Sequence, residues 1–437
     1  MAVSLGFHII FAVVGIALPV MMVIAEALWL RTGEAVYRDL ARRWAHGAAV
    51  LFAVGAVSGT ALAFELGLLW PGFMRFAGPI IGLGFALEGF AFFTEAIFLG
   101  IYIYGWDKVP AAAHWCAGVV IAVSGAASGI LVVSVNAWMN TPAGFVLQAG
   151  GLGAGAAEVN PIAALLYSCF ASEAIHMTLA AYAATGLLAA GVHAVLLRRN
   201  TTSRFHRRAM AISLVLGGAA ALLQPISGDY SARVVARTQP LKLAAMEGQF
   251  RTQRRAPLRI GGLPDPAAHE TRYALEIPGG LSFLAYHDIN AEVEGLDSVP
   301  RSDQPPVRVV HPAFQVMVAC GMAMAGLALW AAIAAWRTRR VPDGPRFLLA
   351  AAVVGPLGMI AIEAGWIVTE VGRQPWIIHQ VMRTTRAITP VPHLVVSLAV
   401  YTTLYLALAA VVVTLLAGMF RSSRDADEHE SGSGSES

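Results

Sequence analysis

Charge is what this sequence has little of. Asp, Glu, Lys and Arg make up 13% of its 437 residues, against about 25% in a soluble domain. Hydrophobic residues make up 57%, and the mean hydropathy is +0.64. A water-soluble globule is excluded, and a polytopic membrane protein is expected. A net charge of +3 gives no basic surface for nucleic acid. Cysteine is also scarce. Cys116, Cys169 and Cys320 stand far apart inside apolar runs. No CxxC or Cys–His spacing exists, which excludes a zinc ribbon and a dithiol redox motif. The three are read as small core residues. No basic segment precedes the first apolar run, so a cleavable signal is not expected. No internal repeat of the inverted-repeat transporter kind is visible.

What the chain has instead is long apolar runs. A membrane span needs roughly 20 apolar residues. Nine runs qualify, near 3–30, 45–70, 78–105, 113–138, 162–197, 208–227, 310–336, 346–369 and 394–420. The expected fold is an all-α polytopic membrane protein with nine transmembrane helices. Arginine sets the orientation. Arg31, Arg38, Arg42 and Arg43 follow the first run, Arg198, Arg199, Arg204, Arg207 and Arg208 the fifth, and Arg337, Arg339, Arg340 and Arg346 the seventh. Most intervening loops are poorer, although the one after the eighth run holds Arg373, Arg383 and Arg386. The N-terminus is therefore expected outside and the C-terminus in the cytoplasm. The chain divides into helices over 1–227, an extracytoplasmic loop over 228–309 with a short helix near 239–250, helices over 310–420, and a polar tail over 421–437 that is expected to be disordered.

Ionisable residues inside spans point to function by default. His8 lies in the outer part of the first run and His176 well inside the fifth. Met317 and Glu370 fall in the outer third of the seventh and eighth, counting about 1.5 Å per helical residue. A His/Met pair suits a low-spin electron-transfer haem, although a lone buried His or Met is more often core. Glu88 and Glu95 stand seven residues apart, two helical turns, and so share a face. Two carboxyls on one face at mid-membrane depth have the character of a proton relay; hydrogen bonding to a neighbouring helix is the plainer alternative. Ser124 and Ser128 could extend such a path or simply pack helices. In the outer loop Lys242 and Glu247 are either solvated charges or a site for a polar headgroup. Residues 363–376, "EAGWIVTEVGRQPW", add Trp366, Arg373 and Trp376, which alone read as a polar helix end with an aromatic belt. The residues by themselves leave open a haem-bearing electron-transfer subunit and a proton-coupled transporter.

Six segments, "FHIIFAVVGIALP", "LEGFAFFTEAIFLGIYIYGWD", "NAWMNTP", "QPLKLAAMEG", "FQVMVACG" and "EAGWIVTEVGRQPW", occur in this order along the chain. Together they resemble subunit I of the cytochrome bd-type quinol oxidases, of the class with a short quinol loop, over nearly the whole chain. The resemblance implies a terminal respiratory oxidase of the bacterial cell (inner) membrane. It would oxidise quinol at the outer face and reduce dioxygen to water with cytoplasmic protons, without pumping. It implies a low-spin haem b, a high-spin haem b and a chlorin-type haem d, and no copper. His176 and Met317 resemble the axial ligands of the low-spin haem, and His8 and Glu370 those of the two high-spin haems. Glu88 resembles a carboxylate beside the dioxygen site and Glu95 a proton-path residue. Lys242 and Glu247 resemble a quinol-binding pair. Trp366, Arg373 and Trp376 resemble residues packed against the haems. A second membrane subunit, and often a small single-span one, are implied as partners. Two departures stand out. Gln315 occupies a position where the family often has arginine, and the Glu88–Glu95 spacing is one residue shorter than in the best-known members.

Overall fold

The computed structural model describes residues 1–148, 155–167, 169–388 and 394–433. Among these, nine helices are long and apolar enough to cross a membrane. The first four are α1 (Ala2–Thr32), α2 (Ala35–Leu69), α3 (Pro71–Tyr104) and α4 (Ala111–Asn140). Their connections are tight. Gly33 turns the chain after α1 at φ 72°, a left-handed conformation that costs glycine little. Trp70 alone separates α2 from α3, which opens on Pro71, where the missing N–H has no helical partner to lose.

The strands β1 (Val146–Leu147) and β2 (Ala156–Ala157) pair antiparallel after α4. The run expected over 162–197 is two helices, α5 (Pro161–Leu166) and α6 (Phe170–Arg199). Helix α7 (Arg204–Thr238) outlasts its apolar run by about three turns, because its polar last turns pack under the loop. The loop helix expected near 239–250 is α8 (Pro240–Glu247). It is followed by short strands: β3 (Gln253–Arg254), β4 (Leu258–Ile260), β5 (Leu263–Asp265), β6 (Glu270–Arg272) and β7 (Leu275–Ile277). Then come α9 (Gly280–Tyr286) and β8 (Glu292–Val293). The pairs are β3–β8, β4–β7 and β5–β6, all antiparallel.

Helix α10 (Val307–Thr338) returns into the bundle. The eighth span is broken at Gly355–Pro356 into α11 (Pro345–Val354) and α12 (Leu357–Val371). Proline has no N–H to continue the ladder, so a break here follows from its chemistry. After β9 (Trp376–Ile378), β10 (Met382–Arg383) and α13 (Thr384–Ala387) comes α14 (Leu394–Ser433). The backbone of the stretch expected to be a disordered tail is thus helical as far as Ser433, and residues 434–437 lie outside the described residues.

Side chains bury against neighbouring helices in clusters rather than one centre. One joins α1, α2, α3 and α7 through Met21, Leu40, Tyr102 and Ala209. Another joins α6, α7, α10 and α11 through Leu187, Met210, Leu327 and Phe347. A third joins α1, α6 and α12 through Val13, Ala181, Ala184 and Ile362, with Trp366 packed on it. Large apolar side chains such as Phe90, Phe93 and Ile97 of α3 face outward, as a lipid-facing surface requires.

Candidate functional site

At the end of the bundle that carries the 239–306 loop, a buried polar cluster joins four helices. Its hub is Asn140, the last residue of α4, fully buried. Asn140 Oδ1 accepts from Lys242 Nζ of α8 at 3.2 Å and from Arg373 Nη1 at 3.3 Å. Asn140 Nδ2 donates to Glu173 Oε1 of α6 at 2.9 Å and to Asn136 Oδ1 at 3.1 Å. Asn136 Nδ2 donates to Glu370 Oε1 of α12 at 2.5 Å, and Arg373 Nη2 to Glu370 Oε2 at 2.5 Å. Each carboxylate oxygen of Glu370 therefore has a donor, and Arg373 supplies its counter-charge. Arg373 is 1% exposed, which is tolerable only with such partners.

Three groups just outside the spans feel the same cluster. Burial pulls Lys242 down to about 8, with Glu173 opposing. Burial and the cations Lys242 and Arg373 pull His379 down to about 4, so it stays neutral. Cys169 is pushed up to about 12 by burial and Glu173. It remains a thiol and donates to Glu173 Oε1 at 3.3 Å.

The sequence pairs Lys242 with Glu247, and the structure separates them. Five residues on a helix is about 140° of rotation. Lys242 points to Asn140, while Glu247 faces the loop. Glu247 is 1% exposed, and its Oε2 has no hydrogen-bond partner among the described residues. Burial pushes its carboxyl up to about 8, with Arg259 opposing. A buried acceptor without a donor costs a few kcal/mol, so this is a place for an incoming O–H or N–H.

The remaining expected ligands sit one level deeper. His8 Nδ1 lies 2.9 Å from Ser58 Oγ of α2. That partner fixes the ring through Nδ1 and leaves Nε2 as the nitrogen available to coordinate. Gly59 makes the approach feasible, since a Cβ there would lie 2.9 Å from the His8 ring. His176 is held by α7: Gln224 Nε2 donates to His176 Nε2 at 3.1 Å, and Ser227 Oγ lies 3.3 Å from Nδ1. A ring nitrogen that accepts a hydrogen bond carries a lone pair, which is what a metal requires. Met317 Sδ sits over Gly365 of α12, 3.2 Å from where a Cβ would stand. Both α6 and α10 pack on α12, and Trp366 lies in the cluster joining α1, α6 and α12. Trp376 in β9 is covered by the Arg383 guanidinium, 4.9 Å from the ring centroid. Imidazole, thioether and carboxylate are the donor types that haem iron takes, and each is held by a neighbour, so these residues fit the cofactors the sequence suggests.

Glu88 and Glu95 share the α3 face that packs on α4. Ser128 Oγ donates to Glu88 Oε1 at 3.1 Å. Glu95 is buried and lies over Gly125, whose absent Cβ would stand 3.3 Å from Oε1. Asn136, Asn140, Glu173 and Ser58 carry the site and were not singled out from sequence. Asn136 and Asn140 stand i, i+4 within "NAWMNTP", a spacing that places them on one helix face.

Residues 1–424 match the family model described as cytochrome bd terminal oxidase subunit I. The chain belongs to this family. A putative cytochrome bd menaquinol oxidase subunit I from Bacillus subtilis is 38% identical, covering 96% of this chain and 94% of the relative. A cytochrome bd ubiquinol oxidase subunit 1 from the same organism is 28% identical over 97% of this chain and 92% of that one. The solved structure of bd oxidase from Geobacillus thermodenitrificans superposes with a TM-score of 0.89 at 36% identity, covering 96% of each chain. Family and helices together make this a multi-pass protein of the bacterial inner membrane and a haem-dependent respiratory oxidoreductase.

Proposed function

We propose that this chain is the haem-bearing subunit of a terminal oxidase that oxidises quinol at the outer face and reduces dioxygen to water. The protons consumed come from the cytoplasm, so the membrane is charged without a pump. The observation that carries this reading is the Asn140 cluster. It ties Lys242, on the loop helix that would meet quinol, to Arg373 and Glu370, the proposed iron ligand, through one amide.

His176 and Met317 would hold the low-spin haem b; His8 and Glu370 would hold the high-spin haem b and haem d, with no copper. Bound haem supplies the one-electron and dioxygen chemistry. This chain's residues position and neutralise. Arg373 and Lys242 offset the carboxylates Glu370 and Glu173, and Trp366 fills the space between α1, α6 and α12. Oε2 of Glu247, without a partner among the described residues, accepts a hydrogen bond from a quinol hydroxyl. Glu95 and then Glu88, about 10 Å apart along α3, hold protons on the way from the cytoplasmic side. Each charge crossing the membrane is worth about 2.3 kcal/mol per 100 mV, so discrete carriers serve better than an open aqueous pore. A second membrane subunit, and in many members a small single-span one, complete the assembly.

A reduced-minus-oxidised optical spectrum of the purified oxidase tests the reading. A chlorin band together with b-type bands is expected. b-type bands alone would make the chain an electron-transfer subunit without dioxygen chemistry, and a colourless protein would return it to the transporters.

A further inference from the structure

The outer loop carries an arginine with no role in the mechanism above. Arg259 lies at the centre of β4, opposite Glu276 of β7. Its side chain is 13% exposed and points inward at α8. Arg259 Nη1 donates to Gln249 Oε1 at 2.5 Å and Gly248 O at 3.4 Å, the two residues that follow Glu247. Nε donates to Glu276 Oε1 at 2.9 Å, and Glu276 is 50% exposed. One face of the guanidinium is therefore anchored to a solvated carboxylate, and the other is presented to the end of α8.

The strand that carries Arg259 is bolted to α10. Gln315 Nε2 donates to Arg259 O at 3.1 Å, and Gln315 Oε1 accepts from Gly261 N at 2.8 Å. His311, fully buried, has Nε2 3.0 Å from Gly261 O and Nδ1 2.8 Å from Met246 O. Gln315 thus spends both ends of its amide on the loop, and hydrogen bonds tie β4 and α8 to the first turns of α10.

We propose that Arg259 is a positioning residue for quinol oxidation, the fixed cation that keeps Glu247 able to accept a proton from quinol. This rests on the quinol reading of Glu247. Oxidation of quinol to quinone breaks two O–H bonds and gives up two protons and two electrons, which haem, when bound, would take one at a time. Glu247 takes one proton at Oε2 and later yields it to outside water; the other passes to outside water directly. Burial alone would leave Glu247 protonated and unable to act. An opposite charge favours the ionised form, by about one to three pH units when close.

The other charged or titratable groups on elements packed against α8 are otherwise engaged. Asp297 accepts from Thr252. His311 meets two carbonyls. On α7, Asp229 pairs with Arg233, and Arg237 interacts with Tyr286. Lys242 faces Asn140, and Arg308 of α10 reaches Asp265. Arg259, held on Gly248 O and Gln249 Oε1 directly after Glu247, is the cation placed beside its carboxyl.

The test is the pH profile of kcat/KM for a soluble short-chain quinol, measured on the complete oxidase across roughly pH 6 to 10, with the haem spectrum of each variant as the folding control. Removing the cation must raise the pH at which Glu247 ionises. In Arg259→Gln the acid limb should therefore move up by about one to two pH units. Arg259→Lys should restore it. An unmoved limb in Arg259→Gln, with Glu247→Gln removing the limb, overturns this inference alone. A limb shifted equally in Arg259→Lys and Arg259→Gln also overturns it, because charge would then not be the cause. If Glu247→Gln leaves the limb intact, the quinol reading of Glu247 falls first.

Discussion

The Asn140 cluster and the Glu88–Glu95 face both place carboxyls among apolar helices, and they treat them in opposite ways. In the cluster, Glu370 has a donor for each oxygen, and Glu173 receives an amide and a thiol. Two cations share the hub. On the α3 face, Glu88 meets one hydroxyl and Glu95 lies over the bare backbone of Gly125. Dense pairing gives each Glu370 oxygen a donor, as a proposed ligand beside its counter-charge requires; sparse pairing leaves oxygens open, as the proposed proton carriers require.

The comparison breaks most visibly at Glu370. Glu370→Ala removes the proposed iron ligand and leaves Arg373 buried without its carboxylate, and an uncompensated buried charge of this kind costs about 3–5 kcal/mol. Loss of a high-spin haem with the low-spin haem retained is the expected spectrum, and dioxygen consumption should vanish. Retention of all haem bands would remove Glu370 from the ligands. Next in size is Glu95→Gln. Here the haem spectrum should be unchanged while proton-coupled turnover falls about a hundredfold, the usual scale for losing a proton-transfer group. Normal proton uptake after flash-initiated oxidation would mean that the face is packing only.

Lys242 sharpens the contrast, because it is the cluster's one cation that titrates near neutrality. Its ammonium form is present below about 8 and is lost as pH rises through that value. Glu247, pushed up to about 8, gains its carboxylate over the same interval. Quinol oxidation that needs both charges should therefore show a narrow bell centred near pH 8. Lys242→Arg should extend the alkaline limb upward, since guanidinium stays charged. A limb that does not move in this variant would assign it to another group.

The nine spans were legible because apolar runs of this length have no other stable use. The family was legible through ordered motifs. What sequence could not supply was rotation and handover. Lys242 and Glu247 look like a pair five residues apart, yet the helix turns them to different neighbours. Asn140 carries no charge and draws no attention until two cations converge on its oxygen. Gln315 reads as a missing arginine, and only the folded loop shows its amide gripping Arg259 and Gly261. The break at Pro356 was visible in the residue itself, but hydropathy smooths over it.

The smallest expected effect tests whether the sparse face needs its space. A Cβ at Gly125 would stand 3.1 Å from Gly15 O of α1 and 3.3 Å from Glu95 Oε1. Both contacts are tight, and one is backbone that cannot swing aside. Gly125→Ala should therefore push Glu95 off its position by a few tenths of an ångström, at about 1 kcal/mol, the low end for overpacking. Turnover should fall about two- to fivefold, the kinetic size of that energy, with haem content unchanged. Gly82→Ala on α3 is the matched control, because a Cβ there meets nothing within 4 Å; helix propensity alone would favour it slightly. Equal turnover in the two variants would show that the carrier tolerates displacement. A slowed Gly125→Ala beside an unaffected Gly82→Ala would show that the position of Glu95, as well as its proton, is part of the relay.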